Sequence, residues 1–297
     1  MSSQKQWIGR FAPTPSGPLH FGSLVAALGS YLIAKHRDGQ WFVRIEDLDP
    51  PREVAGAASG ILNTLEAFGF EWDGEVLYQS HRSELYSNIL RQLQSKALVY
   101  QCDCSRKQIQ QRNSGVYDSY CKARNISSSH NCALRIQFNH KFSHFTDLVL
   151  GDCRFEQAAD IQDFVIRRRD GLYAYQLAVV ADDIAQGVNH VVRGADILDS
   201  TPRQNFLYDC LEKTPPDYYH LPLVVDENGE KLSKSQFSPE IKAQDASLWL
   251  VKALQHLDQS IHSELINYSP QQILAWAIDN WQVDKVAKVP KTFKAPI

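Results

Sequence analysis

Residues 10–23 read Arg-Phe-Ala-Pro-Thr-Pro-Ser-Gly-Pro-Leu-His-Phe-Gly-Ser, and this stretch decides the fold. A short apolar run (Trp7, Ile8, Phe11) leads into it, and a long apolar pattern over 24–35 follows. The run has the character of a strand. The pattern has the length and period of a helix, with Ser23 or Ser16 available as its cap. The expected unit is therefore strand, tight turn, helix. A helix N-terminus leaves N–H groups unpaired and carries the positive end of the helix dipole, which suits a phosphate. Pro13 and Pro15 stiffen the turn, while Gly17 and Gly22 let backbone or ligand come close. His20, just ahead of the helix, adds a donor. Taken alone, the stretch reads slightly better as a turn that only reverses the chain, because short glycine-containing turns are common.

The 297 residues are enough for one large or two modest cores. The formal net charge of −3 means that any nucleic-acid contact must come from a local patch. No run approaches the roughly 20 apolar residues needed to span a membrane, and the N-terminus lacks the apolar core of a signal peptide. A cytoplasmic protein without membrane contact is expected. Six cysteines without a secretion signal argue for thiols or a metal over a disulfide framework.

Outward from the opening unit, residues 40–46 read as a second strand ending in the acidic cluster Glu46, Asp47 and Asp49. Helical patterns over 54–68 and 82–96 follow. Strands alternating with helices imply a largely parallel sheet covered on both faces, with ligands at the C-terminal strand ends. Both the 10–23 turn and Glu46–Asp49 fall there. Residues 99–155 differ in texture, hold five of the six cysteines, and read as an insertion. The parallel pattern is expected to resume with a strand over 163–168, a helix over 175–186, a strand over 190–193 and a helix over 200–212. A turn over 226–231 precedes Lys231-Leu232-Ser233-Lys234-Ser235, two helical patterns close the chain, and the basic tail from 285 reads as poorly ordered.

Two lysines and two hydroxyls on a loop after a turn can wrap nucleotide phosphates and neutralise developing charge. Alone, such a loop is usually a solvated basic surface. Paired with His20-Phe21-Gly22-Ser23, it resembles the HIGH and KMSKS signatures of class I aminoacyl-tRNA synthetases. The 10–20 stretch looks like the first motif of glutamyl-tRNA synthetases within that family. Arg44-Ile-Glu-Asp-Leu-Asp49, Tyr175 and Val192-Arg-Gly-Ala-Asp196 fit the same group in order, so the resemblance covers roughly residues 7–240. Phe21 replaces the usual isoleucine, Ser23 the usual final residue and Leu232 the commonest methionine. None of these changes the backbone or charge logic.

The resemblance implies an α/β fold: a Rossmann-like catalytic domain with a small zinc-binding insertion and a short helical C-terminal extension. On it, residues 1–98 and 156–240 are the two catalytic halves, 99–155 the insertion and 241–297 the extension. The implied chemistry is ATP-dependent activation of L-glutamate as its adenylate, with positioning and charge stabilisation doing most of the catalysis. His20 and Lys234 are the implied catalytic pair. Gly22, Lys231, Ser233 and Ser235 join them around ATP, which carries Mg2+. Arg10 and Arg193 suit the carboxylates of glutamate, Glu46 its ammonium, Tyr175 its side chain, and Phe11, Ala12, Pro13 and Thr14 line its pocket. Read from the residues alone, Glu46 is an ion-pair partner for Arg44 or Arg52.

Cys102-x-Cys104 with Cys121 supplies three soft ligands for one structural zinc ion. The fourth is open among Tyr117, Tyr120, His130 and Cys132. Donor chemistry prefers Cys132, whereas the resemblance favours Tyr117, since a Cys-x-Cys…Tyr-x-x-x-Cys pattern occurs in a short relative of these synthetases. Cys153 and Cys210 read as core residues.

Beyond the lysine loop the chain runs only from Gln236 to Ile297, whereas a complete glutamyl-tRNA synthetase continues into an anticodon-reading domain. The resemblance is thus to truncated paralogues, and implies transfer of glutamate to the queuosine in the anticodon loop of tRNA(Asp). A monomer is expected. Candidate RNA contacts are Arg167, Arg168, Arg169, Lys122 and Arg124, each of which singly reads as a solvated charge. The alternatives are glutamylation of another acceptor such as a tRNA 3′ end, or a non-catalytic zinc- and RNA-binding relative. Intact Arg10, His20, Glu46 and Lys234 argue against the last.

Overall fold

The computed structural model describes residues 6–124, 126, 132–140, 142–156, 161–231 and 241–292. Its centre is a parallel sheet. β1 (Ile8–Phe11) pairs with β2 (Gln40–Ile45), and β2 with the short β3 (Leu77–Tyr78). Further along the chain, β9 (His190–Gly194) pairs in parallel with β10 (Asp217–Leu221). The two pieces meet where Asn189, just before β9, donates its backbone N–H to Ile8 O (3.0 Å) and accepts from Ile8 N (2.9 Å). The order is therefore β3-β2-β1-β9-β10, with β1 and β9 at the centre. β9 is buried along nearly its whole length, as strands covered on both faces are.

Helices cover the two faces. On one lie α1 (Phe21–Lys35), α2 (Ala57–Ala67), α7 (Ala246–His256) and α8 (Pro270–Asn280), sharing a core with Phe11, Trp41, Val43, Ile45, Val192 and Leu221. On the other lie α3 (Ser83–Ser95), α5 (Tyr175–Gln186) and α6 (Thr201–Cys210), with a second core. α1 sits so close to the sheet that a Cβ on Gly29 would stand 2.5 Å from Leu221 Cδ1. Among the described residues no helix is long and apolar enough to cross a membrane.

Between the halves come β4 (Val99–Cys102), α4 (Arg106–Asn113), β5 (Ala133–Ile136), the hairpin β6 (Phe142–Asp147) and β7 (Gly151–Glu156), and β8 (Phe164–Arg167). Here one expectation is corrected. The strand over 163–168 does not resume the parallel sheet; it pairs antiparallel with β5, which pairs antiparallel with β4. A parallel pairing needs a helical crossover, and only a hairpin separates β5 from β8. Ile136, Phe164 and Ile166 then face the second core together. The β6–β7 hairpin reaches back to the catalytic sheet, where Leu148 N donates to Tyr218 O (2.9 Å). β11 (Val224–Val225) and β12 (Lys291–Thr292) form a small parallel pair at the end of the described chain.

Candidate active site

A cavity of about 320 Å³ opens at the C-terminal ends of β1, β2, β9 and β10. Arg10, Phe11, Ala12, Pro13, Thr14, His20, Gly22, Glu46, Tyr175, Arg193 and Lys231 all line it. Ser233, Lys234 and Ser235 lie outside the described residues.

The turn after β1 delivers His20 as the N-cap of α1, displacing the expected serine caps. Its Nδ1 accepts from Ser23 N–H (3.2 Å), and its Nε2 lies 3.1 Å from Ser23 Oγ. Because Nδ1 is the acceptor, the neutral ring carries its proton on Nε2. Burial, helped by the Lys231 ammonium and opposed by Asp196, pushes the His20 pKa below the ordinary histidine value. Gly22 is required by this arrangement: a Cβ there would meet His20 Cε1 at 3.2 Å and Nδ1 at 3.3 Å. Phe21 is buried against Trp249 and His256, so the larger side chain at that position belongs to the core and leaves the turn unaltered.

The floor is a buried charge cluster. Arg10 donates from Nε (3.1 Å) and a terminal nitrogen (3.4 Å) to Asp183 on α5. Arg44 donates to the same Asp183 (2.7 Å), to Gln186 (2.8 Å) and to Glu46 (3.4 Å). Burial raises the Asp183 pKa, but the two arginines outweigh it and hold the carboxyl below the ordinary value. Glu46 goes the other way: burial raises its pKa against the pull of Arg44 and Arg10. The ion-pair reading of Glu46 is thus partly realised with Arg44, while Arg52 pairs with Asp49 instead.

The opposite wall is built on Arg193, whose register partner on β10 is His220. Arg193 is 4% exposed and donates to His220 Nε2 (3.0 Å), Gln204 Oε1 (2.7 Å) and Thr201 Oγ1 (2.7 Å). All three acceptors are uncharged. His220 Nδ1 lies 2.6 Å from Asp147 Oδ2, so the ring's proton sits on Nδ1 and Nε2 is free to accept from Arg193. Burial pushes the His220 pKa down despite the hydrogen bond to Asp147. Asp147, at the tip of β6, also accepts from Val149 N (2.9 Å) and Leu150 N (2.8 Å).

Lys231 ion-pairs with Asp196 at the cavity mouth, where an antiparallel bridge to Val225 holds it. Asp226 shapes the intervening turn by accepting from Asn228 N and Glu230 N. Tyr175, at the start of α5, is the most exposed of these residues and stands within the field of Arg193, Glu46 and Arg10.

In the insertion, the sulfurs of Cys102, Cys104 and Cys121 all lie within 4.8 Å of one another, with Cys104 Sγ 3.2 Å from Cys121 Sγ. Cys132 is not part of this cluster. Tyr117 is buried with the sulfurs, and its hydroxyl accepts from Cys121 N (3.3 Å). Tyr120 is 47% exposed and carries the guanidinium of Arg112 over its ring. His130 lies outside the described residues. Arg135 donates to Cys102 Sγ (3.3 Å), which favours the thiolate that a metal requires. Three clustered sulfurs and an adjoining phenol are a donor set that fits a soft divalent metal.

Residues 8–257 match the family model described as tRNA synthetases class I (E and Q), catalytic domain. A glutamyl-Q tRNA(Asp) synthetase of Pseudomonas syringae pv. syringae is 50% identical over 290 residues, covering 98% of each chain. The chain belongs to the glutamyl-Q tRNA(Asp) synthetase family. A namesake from Vibrio cholerae is 47% identical over 96% of this chain and 93% of its own. Among solved structures, the glutamate-tRNA synthetase of Elizabethkingia anophelis superposes with a TM-score of 0.83 at 22% identity, covering 98% of this chain and 68% of that one. That likeness establishes the fold, a class I synthetase catalytic domain.

Sequence reading missed several residues of the site in this family member. Asp183, Asp147, His220, Gln204 and Thr201 fall in no quoted motif, yet each fixes a motif arginine. The signal available for them was faint: an Asp-Asp pair inside an otherwise apolar helix over 175–186, and a histidine inside an apolar strand. Both are buried polar groups, which need partners.

Proposed function

We propose that this chain activates L-glutamate with ATP and transfers the glutamyl group to the queuosine in the anticodon of tRNA(Asp). The observation that carries the reading is Arg193. It is a buried cation at the cavity wall whose hydrogen-bonding partners among the described residues are all uncharged, so its charge is available to an anionic ligand. Lining the same cavity are Glu46, suited to an ammonium, and Arg10. Glutamate offers two carboxylates and one ammonium to this set, with the Tyr175 hydroxyl as a further donor. Phe11, Ala12, Pro13 and Thr14 form the wall beside it.

In the first step the α-carboxylate of glutamate attacks the α-phosphorus of ATP and pyrophosphate leaves. His20, through the Nε2–H that Ser23 now accepts, donates to a phosphate oxygen together with the N-terminus of α1. Gly22 leaves the room this needs. To Lys231, Ser233, Lys234 and Ser235 we assign the binding of the departing pyrophosphate, and to Lys234 the neutralisation of its developing charge. Mg2+ accompanies the nucleotide. In the second step a hydroxyl of the modified base attacks the acyl carbon and releases AMP. The enzyme acts as a monomer in the cytoplasm.

Cys102, Cys104 and Cys121 with Tyr117 hold one zinc ion. When bound, it cross-links the start of α4 to the loop before β5 and has no part in the chemistry. Elemental analysis of freshly purified, reduced protein is expected to give about one zinc per chain. Absence of zinc overturns the assignment.

Two assays test the function. Glutamate-dependent ATP–pyrophosphate exchange should proceed without RNA, and a non-catalytic relative would show none. Labelled glutamate should then enter tRNA(Asp) containing queuosine but not the unmodified tRNA. Incorporation into tRNA(Asp) without queuosine, lost when the 3′-terminal adenosine is removed, would instead identify the terminal ribose as acceptor.

A further inference from the structure

We infer that a second pocket, beside the sulfur cluster, holds a backbone phosphate of the acceptor RNA next to the nucleotide being modified. The inference rests on the function proposed above. The pocket has a volume of about 550 Å³ and lies between α4 and the turn after β8. Arg106, Arg135, Arg168 and Arg169 line it, with Asp170 as the one acid.

The four arginines are not equivalent. Arg168 is neutralised by Asp49 (2.8 Å) and Asp170 (2.6 Å). Arg135 is engaged with Cys102 Sγ and the Asp163 carbonyl (2.7 Å), and stacks over Tyr117. Among the described residues, Arg169 has only the neutral Asp103 carbonyl as acceptor (2.7 Å). Arg106 is exposed and makes no hydrogen bond or ion pair among the described residues. Two uncompensated guanidinium groups therefore face one pocket, and their fork geometry suits a phosphate bidentately. Arg106 also opens α4, where the capping box of Ser105 and Gln108 satisfies the cap and third-position N–H groups and leaves those of Arg106 and Lys107 available.

Position ties this pocket to the catalytic one. The Arg168–Asp49 pair bridges its wall to a residue only three beyond Glu46, a span of at most about 10 Å of extended chain. A polynucleotide with its reacting base in the catalytic cavity can therefore lay neighbouring backbone against Arg106 and Arg169. Single-stranded loops are held in this way, by phosphate contacts beside a splayed base.

The test uses Arg106→Gln, Arg169→Gln and the double variant of the full chain. Glutamate-dependent exchange without RNA should stay within about twofold of the parent. The KM for queuosine-containing tRNA(Asp) in glutamyl transfer should rise about fivefold to tenfold per substitution. The dependence of log KM on log salt should flatten by about 0.7 per contact removed. Arg→Lys should recover part of the loss, since charge remains and the fork does not. Unchanged KM and salt slope in the double variant, with exchange intact, overturns the inference. So does loss of exchange in the same variants, which would assign both arginines to the fold. Failure of the parent chain itself to transfer glutamate would instead overturn the function on which the inference rests.

Discussion

Arg10 and Arg193 are both 4% exposed and line one cavity, yet they are held in opposite ways. Arg10 shares Asp183 with Arg44, so two guanidinium groups converge on one carboxylate, with Glu46 beside them. Arg193 reaches no carboxylate directly among the described residues. Asp147 stands behind a neutral histidine. A buried ion pair contributes to folding chiefly because losing one partner strands the other. A buried cation among neutral acceptors is less favourable in the free protein, and gains most when an anion arrives. Arg10 is thus tied into the fold by a carboxylate while it lines the cavity, whereas the charge of Arg193 is left to the ligand that we propose.

Removing the shared carboxylate gives the largest expected effect. Asp183→Asn leaves Arg10 and Arg44 facing each other without an anion between them. A loss of about 3–5 kcal/mol in unfolding free energy is expected, read from urea denaturation followed by circular dichroism. A loss below about 1 kcal/mol would show that Arg10 does not depend on Asp183, and the contrast with Arg193 would collapse.

The contrast also explains what could be read in the sequence. Arg10, His20, Glu46, Arg193 and Lys231 stand in the motifs that carry the family resemblance, so their gathering at one cavity was legible through it, although each alone reads as a turn, an ion pair or a solvated charge. Their supports were not, because each acts across a long interval of chain: 173 residues separate Arg10 from Asp183, and 73 separate His220 from Asp147. No local pattern encodes such a partnership. The hairpin carrying Asp147 lies in the part that reads as an insertion, yet Asp147 holds His220, which in turn holds Arg193 at the cavity. The strand β8 was misassigned for a related reason, since an apolar run of strand length does not reveal which neighbour it will pair with. The capping role of His20 was hidden because serines stood nearby and are the commoner caps.

The second expected effect falls on activity. Arg193→Gln removes the charge offered to the ligand but keeps a polar side chain among Gln204, Thr201 and His220. The KM for glutamate in ATP–pyrophosphate exchange should rise by about 100-fold to 1,000-fold, from lost charge-assisted hydrogen bonds worth about 3–4 kcal/mol. Stability should shift by less than about 2 kcal/mol, because no carboxylate is stranded. If Arg193→Gln destabilised the protein as much as Asp183→Asn, both arginines would be structural and the distinction would be lost.

The smallest effect concerns the histidine behind Arg193. Burial holds the His220 pKa below its usual 6.5 in the folded protein. The unfolded chain therefore takes up a proton first as pH falls. The neutral ring's contribution is fully present above about pH 6.5 and declines below it, at up to about 1.4 kcal/mol per pH unit. Protonation would also turn Nε2 from an acceptor into a donor aimed at Arg193, so the KM for glutamate should rise on the acid side. His220→Gln keeps an acceptor for Arg193 Nε and cannot take up the proton. It should raise the KM about tenfold or less at pH 8 and flatten the acid limb of the KM–pH profile. The depressed pKa of His20 should still shape the acid dependence of the KM for ATP in that variant, if its ring donates to the phosphates as we propose. If the glutamate profile of His220→Gln instead parallels the parent's, the neutral imidazole is not what keeps Arg193 aimed into the cavity, and Thr201 and Gln204 alone must hold it there.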